Sequence, residues 1–235
     1  HLSNPNLSPE RDRLTPVDSN IGWSKVDRNI ERSMEYSISL VEAGRPVARV
    51  RLEYQNHSGP GASNCDEQKM DRGIAYHLLK NACYWNFARI FVSPDARLIS
   101  SDALPLPEHS VQSETGFKAV GEDTFEMGFV AGVAYFGGLK TVPANESATI
   151  EFTYDLPATV VDWSESGARY VLELQAQAGT AGRATRISVN LPDGYEYASS
   201  NFAPSLTLAG KVEFGFNLIT DTVLELELTK VGTSG

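Results

Sequence analysis

Strict alternation of apolar and polar residues is the feature that most narrows what this chain can become. Met34, Tyr36, Ile38 and Leu40 are apolar, while Glu35, Ser37 and Ser39 between them are polar. Successive side chains of a strand point to opposite faces, so a period of two marks a half-buried strand. After the turn residues Gly44-Arg45-Pro46, the apolar set Ala48, Val50, Leu52 and Tyr54 alternates with Arg49, Arg51 and Glu53. The two runs predict a hairpin. Ala88, Ile90 and Val92 are flanked by Phe87 and Phe91, so both faces are apolar and the strand is expected to be central. The same alternation returns at 148–154, at 170–176 and at 224–228. Shorter strands are expected at about 97–100, 117–120, 124–130, 185–191 and 211–218, and Phe136-Gly137-Gly138 reads as a turn.

Many short strands separated by Gly, Pro and Asp turns imply an all-β chain rather than a parallel α/β sheet. The expected architecture is two packed antiparallel β-sandwich (Ig-like) units with one short helical insertion. One large twisted β-sandwich is the alternative. Residues 1–30 read as an extended lead-in rich in Ser, Pro and Asn, residues 31–160 as the first sandwich and residues 161–235 as the second. The stripe Met70, Ile74 and Leu78 has helical spacing, which places the insertion at about 69–81.

The chain has 235 residues, with 30 acids against 20 bases and a formal net charge of −10. That balance argues against nucleic acid as a partner, since phosphate binding rests on Lys and Arg. No apolar run approaches the length of a spanning helix, so direct membrane insertion of this chain is not expected. The chain begins at His1 rather than Met, so it reads as a fragment or processed form, with room for a signal or anchor upstream. Asn56-His57-Ser58 and Asn145-Glu146-Ser147 fit the N-glycosylation pattern.

Cys65 and Cys83 are the two cysteines. Their spacing is not C-x-x-C, so a thioredoxin-like redox pair does not fit. A disulfide is the expectation. Free thiols, or a Cys2His2 site using His57 and His77, are the alternatives. A bridge would pin the helical insertion to the next strand and imply an oxidising compartment.

Several segments, in order, resemble a bacterial membrane-anchored surface family designated a domain of unknown function (number 4012 in that series). They are Asn20-Ile21-Gly22-Trp23 with Lys25; Leu52-Glu53-Tyr54-Gln55-Asn56; Cys83-Tyr84-Trp85-Asn86 running to Arg89-Ile90-Phe91-Val92-Ser93-Pro94; Phe136-Gly137-Gly138; Tyr154-Asp155-Leu156-Pro157; and Leu172 to Gly179. The chain looks like the extracellular C-terminal region of such proteins. The resemblance implies a cell-surface location with an anchor upstream, and it supplies no catalytic residues.

The residues themselves form no catalytic or cofactor constellation. There is no Gly-x-Ser-x-Gly elbow, and His1, His57, His77 and His109 fall at the terminus or in loops. Asp66/Glu67, Glu122/Asp123 and Asp162/Glu165 are paired carboxylates in polar loops. Such pairs could serve a hydrolase or calcium, yet thirty acids make them inevitable. Ring stacking on sugars needs exposed aromatics. Trp163, in the polar connector 162–167, is the leading candidate, with Trp85 and Tyr84 beside Cys83. The competing roles are packing at the junction of the halves for Trp163 and covering the disulfide for the other two. The expected function is a non-catalytic extracellular structural or interaction module, with protein or cell-wall glycan as partner and no cofactor or metal. A glycan-binding module is the alternative, and a carboxylate-based hydrolase comes after it.

Overall fold

A computed structural model describes residues 11–22, 24–59, 65, 80–104 and 126–231. Among these, fifteen strands and two short 3-10 turns occur, and no α-helix. The strands of the first half are β1 (Asp12–Asn20), β2 (Ile30–Ser39), β3 (Val47–Asn56), β4 (Tyr84–Val92), β5 (Arg97–Ser101), β6 (Glu126–Val130), β7 (Val133–Val142) and β8 (Ser147–Asp155). The second half contributes β9 (Val161–Trp163), β10 (Gly167–Leu174), β11 (Arg183–Asn190), β12 (Tyr195–Ser200), β13 (Leu206–Leu208), β14 (Lys211–Leu218) and β15 (Thr222–Lys230).

They form two sheets packed as a sandwich. One runs β12-β15-β10-β1-β4-β7-β6, with β9 added beside β10. The other runs β13-β14-β11-β2-β3-β8-β5. In β2 and β3 the alternation read from the sequence is the burial pattern itself, every second residue being buried. The inner faces of both sheets make one continuous core, in which Met34, Ile38, Val50 and Ile90 of the first half join Leu172, Ile187, Val189 and Leu226 of the second.

Each sheet holds first-half strands on one side and second-half strands on the other. Residue 160 therefore does separate two strand sets, but the sets are fused edge to edge. The joints are the two parallel pairings, β1 with β10 and β2 with β11, in otherwise antiparallel sheets. β2 and β11 pair over seven residues, from Ala184↔Ser33 to Asn190↔Ser39. β1 and β10 pair only from Asp12↔Leu172 to Leu14↔Leu174. The ladder stops short of Pro16, which has no N–H to give. Beyond it the Gln177 side chain takes the place of a strand: its Oε1 accepts from the Asp18 N–H at 2.8 Å, and its Nε2 donates to the Asp18 carbonyl at 2.9 Å.

Three expectations are corrected. The stretch 12–20, read as lead-in, is a central strand; its acids and proline hide any apolar period. Phe136-Gly137-Gly138 is the interior of β7, not a turn. A Cβ on Gly137 would stand 2.9 Å from Arg89 Cγ, and one on Gly138 would stand 2.3 Å from Ala103 Cβ, so these glycines admit close neighbours rather than a reversal. The connector 162–167 begins within β9, which pairs with β10. The expected helix at about 69–81 lies outside the described residues except for Lys80 and Asn81, which form a turn and a bend. The expected strand at 117–120 also lies outside them.

Cys65 and Cys83 are joined, with Cα atoms 5.1 Å apart. The bridge lies on the outer face of the eight-stranded sheet, where Trp85, Phe87 and Leu139 form a second apolar cluster with Ile21 and Cys65 against it. Closing a loop of this length limits the unfolded chain and contributes about 3 kcal/mol. The Cys65→Ala/Cys83→Ala double variant is therefore expected to melt roughly 6–12 °C lower. An unchanged melting temperature in calorimetry would contradict this.

Candidate functional site

β1 lies between β10 and β4, directly across the core from β2 and β11. Its even-numbered residues face inward, so Asp12 and Asp18 enter the core with Leu14 between them. Both are acids in an apolar interior, and burying a charge is costly unless it is paired and hydrogen-bonded.

Asp18 is paired on both oxygens. Its Oδ2 accepts from Arg32 Nε at 3.0 Å and from Arg183 Nη2. Its Oδ1 accepts from Tyr54 Oη at 2.6 Å and from Asn86 Nδ2 at 3.0 Å. Arg32 is further held by Asp27 Oδ1 at 3.2 Å and the Ile30 carbonyl at 3.0 Å, and it donates to Tyr84 Oη at 3.1 Å. The Arg32 and Arg183 guanidinium groups also stand 5.5 and 5.7 Å from the ring centres of Tyr84 and Tyr54. Burial alone would raise the Asp18 pKa. The Arg183 charge, the Tyr54 hydrogen bond, Arg32 and Asn86 more than offset it and hold this carboxyl below its ordinary value.

Asp12 has no cation partner among the described residues. Tyr170 Oη donates to its Oδ2 at 2.5 Å, Tyr36 Oη donates to the same atom, and Oδ1 has no partner among the described residues. Burial pushes its pKa up to about 6, and the two tyrosines offset only part of that. Tyr36, Tyr54, Tyr154 and Tyr170 are driven well above the ordinary phenol value, first by burial and then by the neighbouring carboxylates. Tyr36, Tyr54 and Tyr170 act as neutral donors to the two carboxyls, while the Tyr154 hydroxyl has no hydrogen-bond partner among the described residues.

Perturbed carboxyls in a cleft are the usual mark of an active site. Here the perturbed carboxyls lie in the core. The side chains of Asp18, Arg32 and Arg183 are 2, 7 and 6% exposed. The cluster ties β1 to β2 and β11 across the core.

The aromatic candidates are dispersed. Tyr84 points into the core, fully buried, with its ring 6.1 Å from that of Tyr54. Trp85 points the opposite way into the cluster around the disulfide, 9% exposed. Neither offers a stacking face to solvent. Trp163 is half-buried, packed on the main core and edge-on to Tyr195 at 5.1 Å. His57 makes an exposed contact with Glu31 at 2.9 Å. His1, His77, His109, Asp66/Glu67 and Glu122/Asp123 lie outside the described residues. Asn56 is buried, its amide bonded to the Ala82 and Val142 carbonyls, so it is no glycan acceptor in the folded chain. No cluster of three metal-ligating side chains occurs among the described residues.

Concave surfaces occur on the outer face of each sheet. The outer face of the seven-stranded sheet carries a groove of about 250 Å³ lined by Glu35, Arg49, Arg51, Arg186, Lys211 and Glu213. Its charges are largely satisfied internally: Arg186 and Arg51 flank Glu35, Lys211 meets Glu213, and Arg49 meets Glu151. On the outer face of the eight-stranded sheet, a shallow cleft is lined by Arg13, Thr15, Phe91, Val133, Glu173 and Gln175.

The residues of the buried cluster left a trace in the sequence. Arg32 has the parity of Met34, Tyr36 and Ile38, and Arg183 that of Ile187 and Val189. A cation that continues an apolar stripe signals a buried guanidinium with a carboxylate opposite.

No family model matches the chain, and no curated protein does. Among solved structures, one from Legionella pneumophila described as a "putative nutrient binding protein" is similar over 93% of this chain and 71% of that one, with 11% identity and a TM-score of 0.44. At that TM-score the likeness assigns neither a fold nor a ligand to this chain.

Two tests follow from the cluster. Asp12 has a raised folded pKa, so its contribution to stability is complete below the unfolded value of 3.8 and is lost as pH rises through about 6. Asp12→Asn is therefore expected to match the parent near pH 3.5 and to exceed it by about 3 kcal/mol at pH 7.5, measured by urea unfolding. Asp18 has the opposite sign: its contribution is present above the unfolded pKa and falls away as pH drops through the lower folded one. Asp18→Ala leaves two buried cations uncompensated and is expected to cost about 3–5 kcal/mol at pH 7. A loss below about 1 kcal/mol would show that the guanidiniums find other partners.

Proposed function

We propose that the chain is a non-catalytic extracellular structural or interaction module of a bacterial surface protein, held at the cell surface by a segment upstream. The observation that carries this reading is the use made of the buried charges. Asp18, Arg32 and Arg183 are spent on joining the two strand sets, and all three side chains are buried away from the surface. The Cys65–Cys83 bridge fits an oxidising compartment. Among the described residues no helix is long and apolar enough to cross a membrane. A fused sandwich with a charged outer face on one sheet and apolar and aromatic groups on the other suits a rigid body that presents its faces to partners.

The test uses cells that make the protein naturally. A membrane-impermeant amine label applied to intact cells is expected to modify it, and non-reducing peptide mapping should recover Cys65 and Cys83 linked. Labelling only after lysis, together with free thiols, would refute the assignment to the surface.

A further inference from the structure

We infer that the outer face of the eight-stranded sheet, at the junction of β1 and β10, is a binding platform for a neutral glycan, with Phe91 and Tyr135 as the stacking surface. This rests on the reading of the chain as an interaction module and names its ligand class.

The platform is one register row across four strands. Gly128 of β6 faces Tyr135 of β7, Tyr135 faces Phe91 of β4, and Phe91 faces Thr15 of β1. The two rings lie 5.7 Å apart, inclined at 44°. Both side chains are half-buried, so each is anchored along part of its surface and open along the rest. Tyr135 lies down across Gly128: a Cβ there would stand 2.8 Å from the phenol oxygen and 2.9 Å from the ring. Glycine at that position lets the ring lie flat along the sheet. Broad ring area with a polar tip is what a sugar's C–H face stacks upon.

Polar groups sit at the β1–β10 end of the row. Thr15 Oγ1 donates to Gln175 Oε1 at 2.9 Å. Arg13 Nη2 meets Glu173 Oε2 at 2.9 Å, and Arg11 holds the other oxygen at 2.6 Å. Arg13 Nε is buried without a hydrogen-bond partner among the described residues, an unusual state for a guanidinium N–H. A fixed Arg–Glu pair offers a donor and an acceptor side by side, matching two neighbouring sugar hydroxyls.

Size and charge narrow the ligand. The cleft is small, about 30 Å³, so it receives a hydroxyl rather than a whole ring. The ligand therefore lies across the face, as a polymer does. The chain's net charge of −10 disfavours polyanionic glycans.

The test is native affinity electrophoresis of the full chain through gels containing glycol chitin, xyloglucan, mixed-linkage β-glucan or galactomannan. At least one polymer is expected to retard the parent protein. Phe91→Ala and Tyr135→Ala should each weaken that binding at least tenfold, and Arg13→Gln several-fold. Leu208→Ala, on the other sheet, should leave it unchanged. Melting curves establish that each variant is folded, and Phe91→Leu, which keeps apolar volume without the ring, serves if Phe91→Ala is not. Absence of retardation by all four polymers overturns the glycan assignment. Retardation that survives both ring substitutions overturns the site while leaving the interaction-module reading intact. The labelling experiment, which involves no sugar, tests that reading separately.

Discussion

One buried carboxylate decides how this molecule holds together. Asp18 on β1 accepts from Arg32 on β2 and from Arg183 on β11, so one anion in the middle of one sheet binds cations on two strands of the other. Neither guanidinium can be left in the core without it, and it cannot be left there without them. Arg32 belongs to the first strand set and Arg183 to the second. The charge is compensated only when both sets are in place, beside the parallel joints β1–β10 and β2–β11. Hydrophobic burial alone would let the two sets associate in several registers. A buried ion cluster favours the one arrangement in which every oxygen and nitrogen meets its partner.

The same strand shows how environment divides two chemically identical groups. Asp12 and Asp18 are six residues apart on one inward face, yet one carboxyl is raised and the other lowered. The difference is the partner. Tyrosine hydroxyls satisfy hydrogen bonds without supplying charge, whereas the guanidiniums supply both. Asp12, near Tyr36 of the first set and Tyr170 of the second, is a second cross-link that is most comfortable when protonated.

Much of the architecture was legible where physics imposes a period. β2, β3, β8, β10 and β15 follow from alternation because one face of each is in the core and the other is not. β1 was illegible for the opposite reason. Its inward face carries Asp12, Pro16 and Asp18, residues that ordinarily mark turns, and only their distant partners make them core residues. β7 was hidden by Gly137 and Gly138, whose role is to admit Arg89 and Ala103 and not to turn the chain. The disulfide was read correctly from spacing and context. Tryptophan drew attention as the stacking residue, but the described tryptophans are packed against apolar neighbours. The rings that share a solvent face, Phe91 and Tyr135, become neighbours only through the β4–β7 register, which local sequence does not encode.

The buried cluster and the outer platform meet at β1, whose inward residues tie the sheets and whose outward residues line the cleft. The central claim is that the two strand sets form one cooperative body through that strand. Native-state hydrogen exchange on the full chain tests it most directly. The amides of β1, β2, β10 and β11 are expected to open together, with the free energy of global unfolding. If β10 and β11 open at a distinctly lower free energy while β1 and β2 stay protected, the halves are separable and the account is wrong.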